Sequence, residues 1–322
     1  MAILRNPFFI GISGLLFLLL LVAWYFDHEP DFMSLPEAAS IEKPIVGVAT
    51  TSMLVQSVET LLNKRGGYLS NDVTPPSIFM DNVPNWEFGV LQQIRDLAKT
   101  LRNDYSRSQT QSIPDPDLEI AEPKFNVSSD SWMLPSAEGE YQKGADSIKK
   151  YLTRLQDTSK QDAQFYARAD NLNEWLSLVE KRLGALSLRL SQARPQIRIN
   201  TDLAGDANAQ QSTKTSSEVI ASSSWFEIDD NFYEARGTAW VLIHYLRAAE
   251  IDFKPVLDDK NAIPTLRQII RELESTQQSV DSPMILNGSG MGMFANHSLV
   301  MSSYISRANS GVAQLRNLLT EG

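Results

Sequence analysis

The side chains that could do chemistry are few in kind and scattered along the chain. No cysteine is present, which removes disulfides, thiol nucleophiles and thiolate metal ligands together. The three histidines, His28, His244 and His297, lack the spacing by which paired imidazoles chelate a metal. His28 reads as solvated, and His244, inside a long helical stretch, as a packing or surface residue. Gly288-Ser289-Gly290-Met291-Gly292 has the glycine content of a phosphate loop, whose backbone amides hold an anion at a helix start. It lacks the lysine and the preceding strand that nucleotide motifs require, so it reads as a tight turn opening the last helix. Ser147-Ile148-Lys149-Lys150 matches the Ser-x-x-Lys spacing of penicillin-recognising enzymes but falls mid-helix with no sheet beside it. Asp115, Asp117 and Glu119, and the pairs Asp229-Asp230 and Asp258-Asp259, lack the glycine and ligand spacing of a calcium loop. Asp229-Asp230 instead suit a helix N-terminus, where negative charge meets the helix dipole. A carboxylate pair for glycosidic cleavage is defined by separation in space, on which linear spacing is silent. These residues assign no catalytic, cofactor-binding or metal-ligating position.

What would position them is helical. Pro7 to Phe26 is a run of twenty residues without one charged side chain. At about 1.5 Å rise it spans roughly 30 Å, the hydrocarbon thickness of a bilayer. A cleaved signal peptide would carry a shorter apolar stretch ending in small residues, whereas this one closes on Trp24, Tyr25 and Phe26, rings suited to the membrane interface. Arg5 precedes the span, and Asp27, Glu29 and Asp31 follow it. Positive charge stays cytoplasmic, so the N-terminus is expected inside and the rest of the chain outside.

The roughly 290 residues beyond the span suffice for one large or two medium cores. Phe165, Ala169, Leu172, Leu176, Val179, Leu183, Leu186 and Leu190 step by four and three, the 3.5-residue period of a coiled-coil-like seam. Ile148 and Leu155 extend the register backward, but Thr158 and Asp162 put polar groups where it should be apolar. The stretch 138–194 is therefore either a helical hairpin or one very long helix. A second seam runs from Ile228 to Phe253 and a third from Met301 to Leu319. Shorter amphipathic stretches fall at 45–63, 88–105 and 263–273. Strand-like alternation is almost absent, so the fold class is all-α: an N-terminal transmembrane helix plus a soluble helical bundle with long coiled-coil-like helices.

Two segments depart from this. Residues 201–224 hold nine Ser/Thr and only three large aliphatics, the composition of a flexible linker. The chain thus divides into a stub and anchor (1–27), a helical domain (28–200), the linker, and a second helical part (225–322) packing on the first. Residues 106–136 contain Pro114, Pro116, Pro123 and Pro135 and are expected to run extended over the surface. They also carry Ile113, Phe125, Trp132, Met133 and Leu134. Phe125 and Trp132 are the candidate partner contacts, either plugging grooves between helices or docking another protein.

Arg65-Gly66-Gly67-Tyr68-Leu69-Ser70-Asn71-Asp72, Pro84-Asn85-Trp86-Glu87-Phe88-Gly89, Phe165 to Leu172 and Phe294-Ala295-Asn296-His297-Ser298-Leu299 together resemble the bacterial family known as domain of unknown function 2333. The resemblance runs over nearly the whole chain, anchor included. It implies a Gram-negative bacterium, an inner-membrane anchor and a periplasmic domain. It brings no activity and no functional residues.

With a net charge of −10, the exported part should repel phosphates and anionic headgroups, which disfavours nucleic-acid and membrane-surface roles. The expected function is a membrane-anchored periplasmic interaction or scaffold protein without a cofactor. Its partners are the bilayer, through residues 7–26, and another envelope protein. The rival readings are an envelope hydrolase of the peptidoglycan type and a helical module that binds an apolar ligand.

Overall fold

The computed structural model describes residues 7–35, 44–109, 111–200, 216–280, 282, 284–289 and 294–321. Helix α1 (Pro7–Phe26) stands apart with none of its residues buried, as one chain-long apolar surface does when no protein covers it. It is the one described helix long and apolar enough to cross a membrane.

The body is a bundle in which successive helices reverse direction. Its long members are α2 (Val48–Asn63), α3 (Asn82–Thr100), α4 (Pro116–Phe125), α5 (Ala137–Gln156), α6 (Ala169–Ser191), α7 (Ile228–Asp252), α9 (Ile263–Ser275) and α10 (His297–Glu321), with the short α8 (Lys254–Asp259) between α7 and α9. The seams account for this. Leu172, Leu176, Val179, Leu183, Leu186 and Leu190 are all buried on α6, and Met301, Ile305, Ala308, Val312, Leu315 and Leu319 on α10, so the two helices pack along each other. The stretch 138–194 is two helices rather than one: α5 ends at Gln156, the polar Thr158 and Asp162 lie in the connection before α6, and the two helices pack on different partners, α5 on α4 and α2 and α6 on α10. Helix α7 is buried nearly all round, as expected for a central helix. It meets α3 backbone to backbone: a Cβ on Gly89 would fall 2.2 Å from the Glu234 carbonyl, and one on Gly237 would fall 2.1 Å from that of Trp86. Any side chain at either glycine would force these helices apart.

Two expectations are corrected. The prolines of 106–136 do not keep the segment extended. Pro116 opens α4 at a position whose N–H has no helical partner anyway. Asp115 caps it, accepting from the amides of Asp117 and Leu118 at 3.0 and 3.4 Å. Pro123 lies so near the end of this ten-residue helix that it removes one hydrogen bond rather than breaking the element. The linker reading of 201–224 fails for its last part. Residues 218–221 form strand β2 (Glu218–Ala221), antiparallel to β1 (Gln196–Ile199), with Ile197 opposite Ile220 and Ile199 opposite Glu218. β-Branched residues on both strands favour that pairing. Residues 201–215 lie outside the described residues.

The bundle has two distinct ends. At one, Tyr105, Phe165 and Phe253 stack on each other with ring centroids 4.9–5.8 Å apart. There too the Asp252 carboxylate accepts from the amides of Gly47 and Thr50 at 2.8 and 2.7 Å, capping α2 from the far end of α7. At the other end α1 leaves the body. We call these the distal and proximal ends.

Candidate functional site

The join between α1 and the bundle is the most constructed part of the molecule. Residues 27–35 leave α1 and run as a strap along α7 from the proximal end towards the distal one. Asp27 is hydrogen-bonded by the Asn82 side chain at the start of α3, and burial raises its carboxyl above the usual carboxylate range. Glu29 next receives Arg236 of α7 through Nε at 2.7 and 2.9 Å. The same guanidinium donates to the carbonyls of Thr276 (3.2 Å) and Gln278 (2.7 Å) just past α9, where a helix end leaves acceptors unfilled. One side chain thus joins the strap, α7 and α9.

About two turns further along α7, the strap reaches His244. Phe32 packs on that imidazole edge to face at 5.5 Å and lies under the Arg247 guanidinium. The Met33 amide donates to His244 Nε2 at 3.4 Å, so that nitrogen is the acceptor of a neutral ring. Trp240 covers its other side at 4.9 Å. Burial, helped by the Arg247 charge, pushes the His244 pKa down to about 4. His244 is therefore a packing residue of the strap joint. No local pattern could have announced it, because Glu29–Arg236 and Met33–His244 are more than 200 residues apart in sequence.

The other side of the joint is built by two of the stretches that carry the family resemblance. Glu87 of α3 is fully buried and collects the loop 64–70. It accepts from the Leu69 and Ser70 amides at 2.8 Å each and pairs with Lys64 Nζ at 2.6 Å. Burial raises this carboxyl, while the ammonium and the amides pull against that rise. Gly66 and Gly67 have positive φ, and a Cβ on Gly66 would fall 2.8 Å from the Phe26 ring at the end of α1. Arg65 stands over the Tyr25 ring at 5.7 Å. Glycine is needed here both for the turn and for the close approach. Asn71 then ties on the next loop, donating to Ser131 O at 3.0 Å and to Glu138 at 2.7 Å.

The candidate residues read from the sequence separate on that loop. Phe125, only 1% exposed, packs against Gly144 and Tyr141 while Arg95 donates to its carbonyl at 2.7 Å. It belongs to the core and cannot serve as a docking anchor. Trp132 is 55% exposed, beside an equally open Met133 and a still more exposed Leu134.

The remaining candidates are occupied elsewhere. Ser147 is buried while Lys150 faces solvent, so the two share no cleft. Asp115 and Asp117 both hold Arg154 at 2.6 Å, and Asp258 pairs with Lys254. Asp229 and Asp230 stand in the first turn of α7, and burial with neighbouring carboxylates raises Asp230 to about 6. Gly288 sits where an added Cβ would meet the Phe294 carbonyl at 2.0 Å, in keeping with a tight turn. Residues 290–293 of that stretch lie outside the described residues. Among the described residues no group of three metal-ligating side chains converges.

These features define an all-α bundle strapped to a single apolar helix. Residues 5–322 match the family described as an uncharacterised protein conserved in bacteria, domain of unknown function 2333. The chain belongs to that family, and the resemblance read from its motifs holds over the chain. Comparison with curated proteins and with solved structures gives no match.

Proposed function

We propose that the protein is a single-pass inner-membrane protein whose helical body lies in the periplasm and acts by association rather than by catalysis, holding an envelope protein partner close to the bilayer. The observation that carries this reading is the strap. A signal peptide is cut away and has no reason to fit the folded product, whereas Phe26 lies against Gly66, Tyr25 lies under Arg65, and the chain continues into Glu29, Phe32 and Met33 docked on α7. A helix so continuous with the body supports a retained anchor. The Arg5 against Asp27, Glu29 and Asp31 asymmetry supports an inside N-terminus.

Reporter fusions after Gly322 test the topology. An enzyme that matures only in the periplasm should be active and one that matures only in the cytoplasm inactive. The reverse pair of readings overturns the proposal, and a chain shortened to start near residue 27 would return α1 to a signal sequence.

A further inference from the structure

The proximal end carries large apolar side chains in loops that no described residue covers. Phe79 is 81% exposed with Ile78 beside it, on the turn that precedes α3, and Leu134 is 90% exposed with Trp132 beside it, on the loop that precedes α5. Both loops are fixed rather than loose. The first runs directly into Asn82, which bonds Asp27, the first residue beyond α1. Phe79 is three residues from that contact, so its Cα lies within about 11 Å of it. The second is tied through Ser131 to Asn71, on the loop whose Gly66 carries the Phe26 ring. The hairpin of β1 and β2, with Ile199 and Ile220 exposed, springs from the same end, where Ser223 N–H donates to Gln192 O at 2.8 Å.

Resting on the membrane-anchor reading, we propose that this end lies on the bilayer, with the loops 73–80 and 132–134 immersed in its interfacial layer beside α1. Three observations choose lipid over another occupant. The patch is continuous with the point where the apolar helix emerges, so a bilayer that holds α1 is already in contact with it. Phe79 and Trp132 stand on loops tied, through Asn82 and Asn71, to the residues that meet the end of α1 beside Trp24 and Tyr25, and aromatic side chains gather at a membrane interface. Finally, Asp72 and Asp81 flank the first loop and Asp130 the second, giving the apolar tips an acidic rim. That rim repels anionic headgroups, so the driving force is apolar burial, and contact should be strongest with zwitterionic lipid and insensitive to salt. The acidic charge that argued against a membrane-surface role excludes only an electrostatic one.

The absence of cysteine makes the test direct. Single Phe79→Cys, Leu134→Cys, Ile113→Cys and Leu16→Cys variants of the full chain carry an environment-sensitive fluorophore in phosphatidylcholine nanodiscs. Quenching is read with lipid bearing a nitroxide near its headgroup, with lipid bearing one deep in the chain, and with aqueous iodide. The expected result is that the probes at 79 and 134 are quenched by the shallow nitroxide and shielded from iodide. The distal probe at 113 should show the opposite, and the probe at 16 should respond to the deep nitroxide. Probes at 79 and 134 open to iodide, with 16 still deep, would overturn the proposal alone. Failure at 16 as well would overturn the anchor reading with it. If 79 and 134 are silent to nitroxide yet become shielded from iodide only in native membranes, a protein covers the face, and the lipid assignment is wrong.

Discussion

The two ends of the bundle use large apolar loop residues in opposite ways. At the distal end Tyr105 and Phe253 are buried and Phe165 closes over both, so the loops that carry them finish the core. At the proximal end Phe79, Trp132 and Leu134 sit on loops just as firmly tied, yet point away from the protein. Among the described residues the distal end exposes Ile113 widely and Ile45 and Val46 in part, and scattered exposed apolar residues are ordinary. A loop's aromatic content therefore does not say what it packs against. The difference lies in whether the chain itself supplies the cover.

The comparison breaks most visibly on stability. Phe253→Ala at the distal end and Phe125→Ala within α4 each remove a fully buried ring and should cost about 3–5 kcal/mol. Phe79→Ala and Trp132→Ala should move the denaturant midpoint of the full chain in micelles by no more than about 0.5 kcal/mol. A large loss for Phe79 or Trp132 would mean that the proximal loops are closed by protein after all.

The next effect sharpens the contrast by titrating the strap that links the two ends. The folded His244 is depressed to about 4 from an ordinary 6.5, so between those values the unfolded chain binds a proton that the folded chain refuses. Stability from this site is intact above about pH 6.5 and falls as the pH drops towards 4, by up to about 3 kcal/mol at roughly 1.4 per unit. Asp230 works the other way, since its raised carboxyl takes up its proton in the folded state first. The measurement is thus the difference between the wild-type midpoint and that of His244→Gln from pH 7.5 to 4. A difference that does not change with pH would remove His244 from the joint.

The smallest expected effect tests how the distal end is latched. Asp252→Ala leaves the amides of Gly47 and Thr50 without their acceptor and should cost about 1–2 kcal/mol, as other lost helix caps do. Hydrogen exchange should speed in the first turn of α2 and stay unchanged in the loops around Phe79 and Trp132. Equal acceleration at both ends would show that they are not independent.

Much of this architecture is legible in the sequence because its cause is local. The four-and-three spacing of Leu172 to Leu190 and of Met301 to Leu319 reflects helical geometry within a few turns, and the polar Thr158 and Asp162 mark the turn between α5 and α6. Helix α4 is hard to see in the sequence because proline inside a helix breaks it, although Pro116 at the first helical position favours a start. Phe125 and Trp132 look alike in the chain, and only the packing of α4 on α5 tells the buried ring from the open one. The joint itself is invisible beforehand: Glu29 means little until Arg236 arrives beside it from 207 residues away.

The direction of the strap has a mechanical consequence. It leaves α1 at the proximal end and lies parallel to α7, meeting Asn82, Arg236 and His244 in succession. A pull on the body away from the membrane therefore acts along the strap, so these attachments share the load side by side, in shear, instead of opening one after another like a zipper. Arg236 passes part of that load to the end of α9 through the Thr276 and Gln278 carbonyls, and the backbone contact at Gly89 and Gly237 passes it to α3. The tether is thus fastened to the slab where α3 and α7 meet backbone to backbone, as a strut carries its bolt in the web and not in the edge.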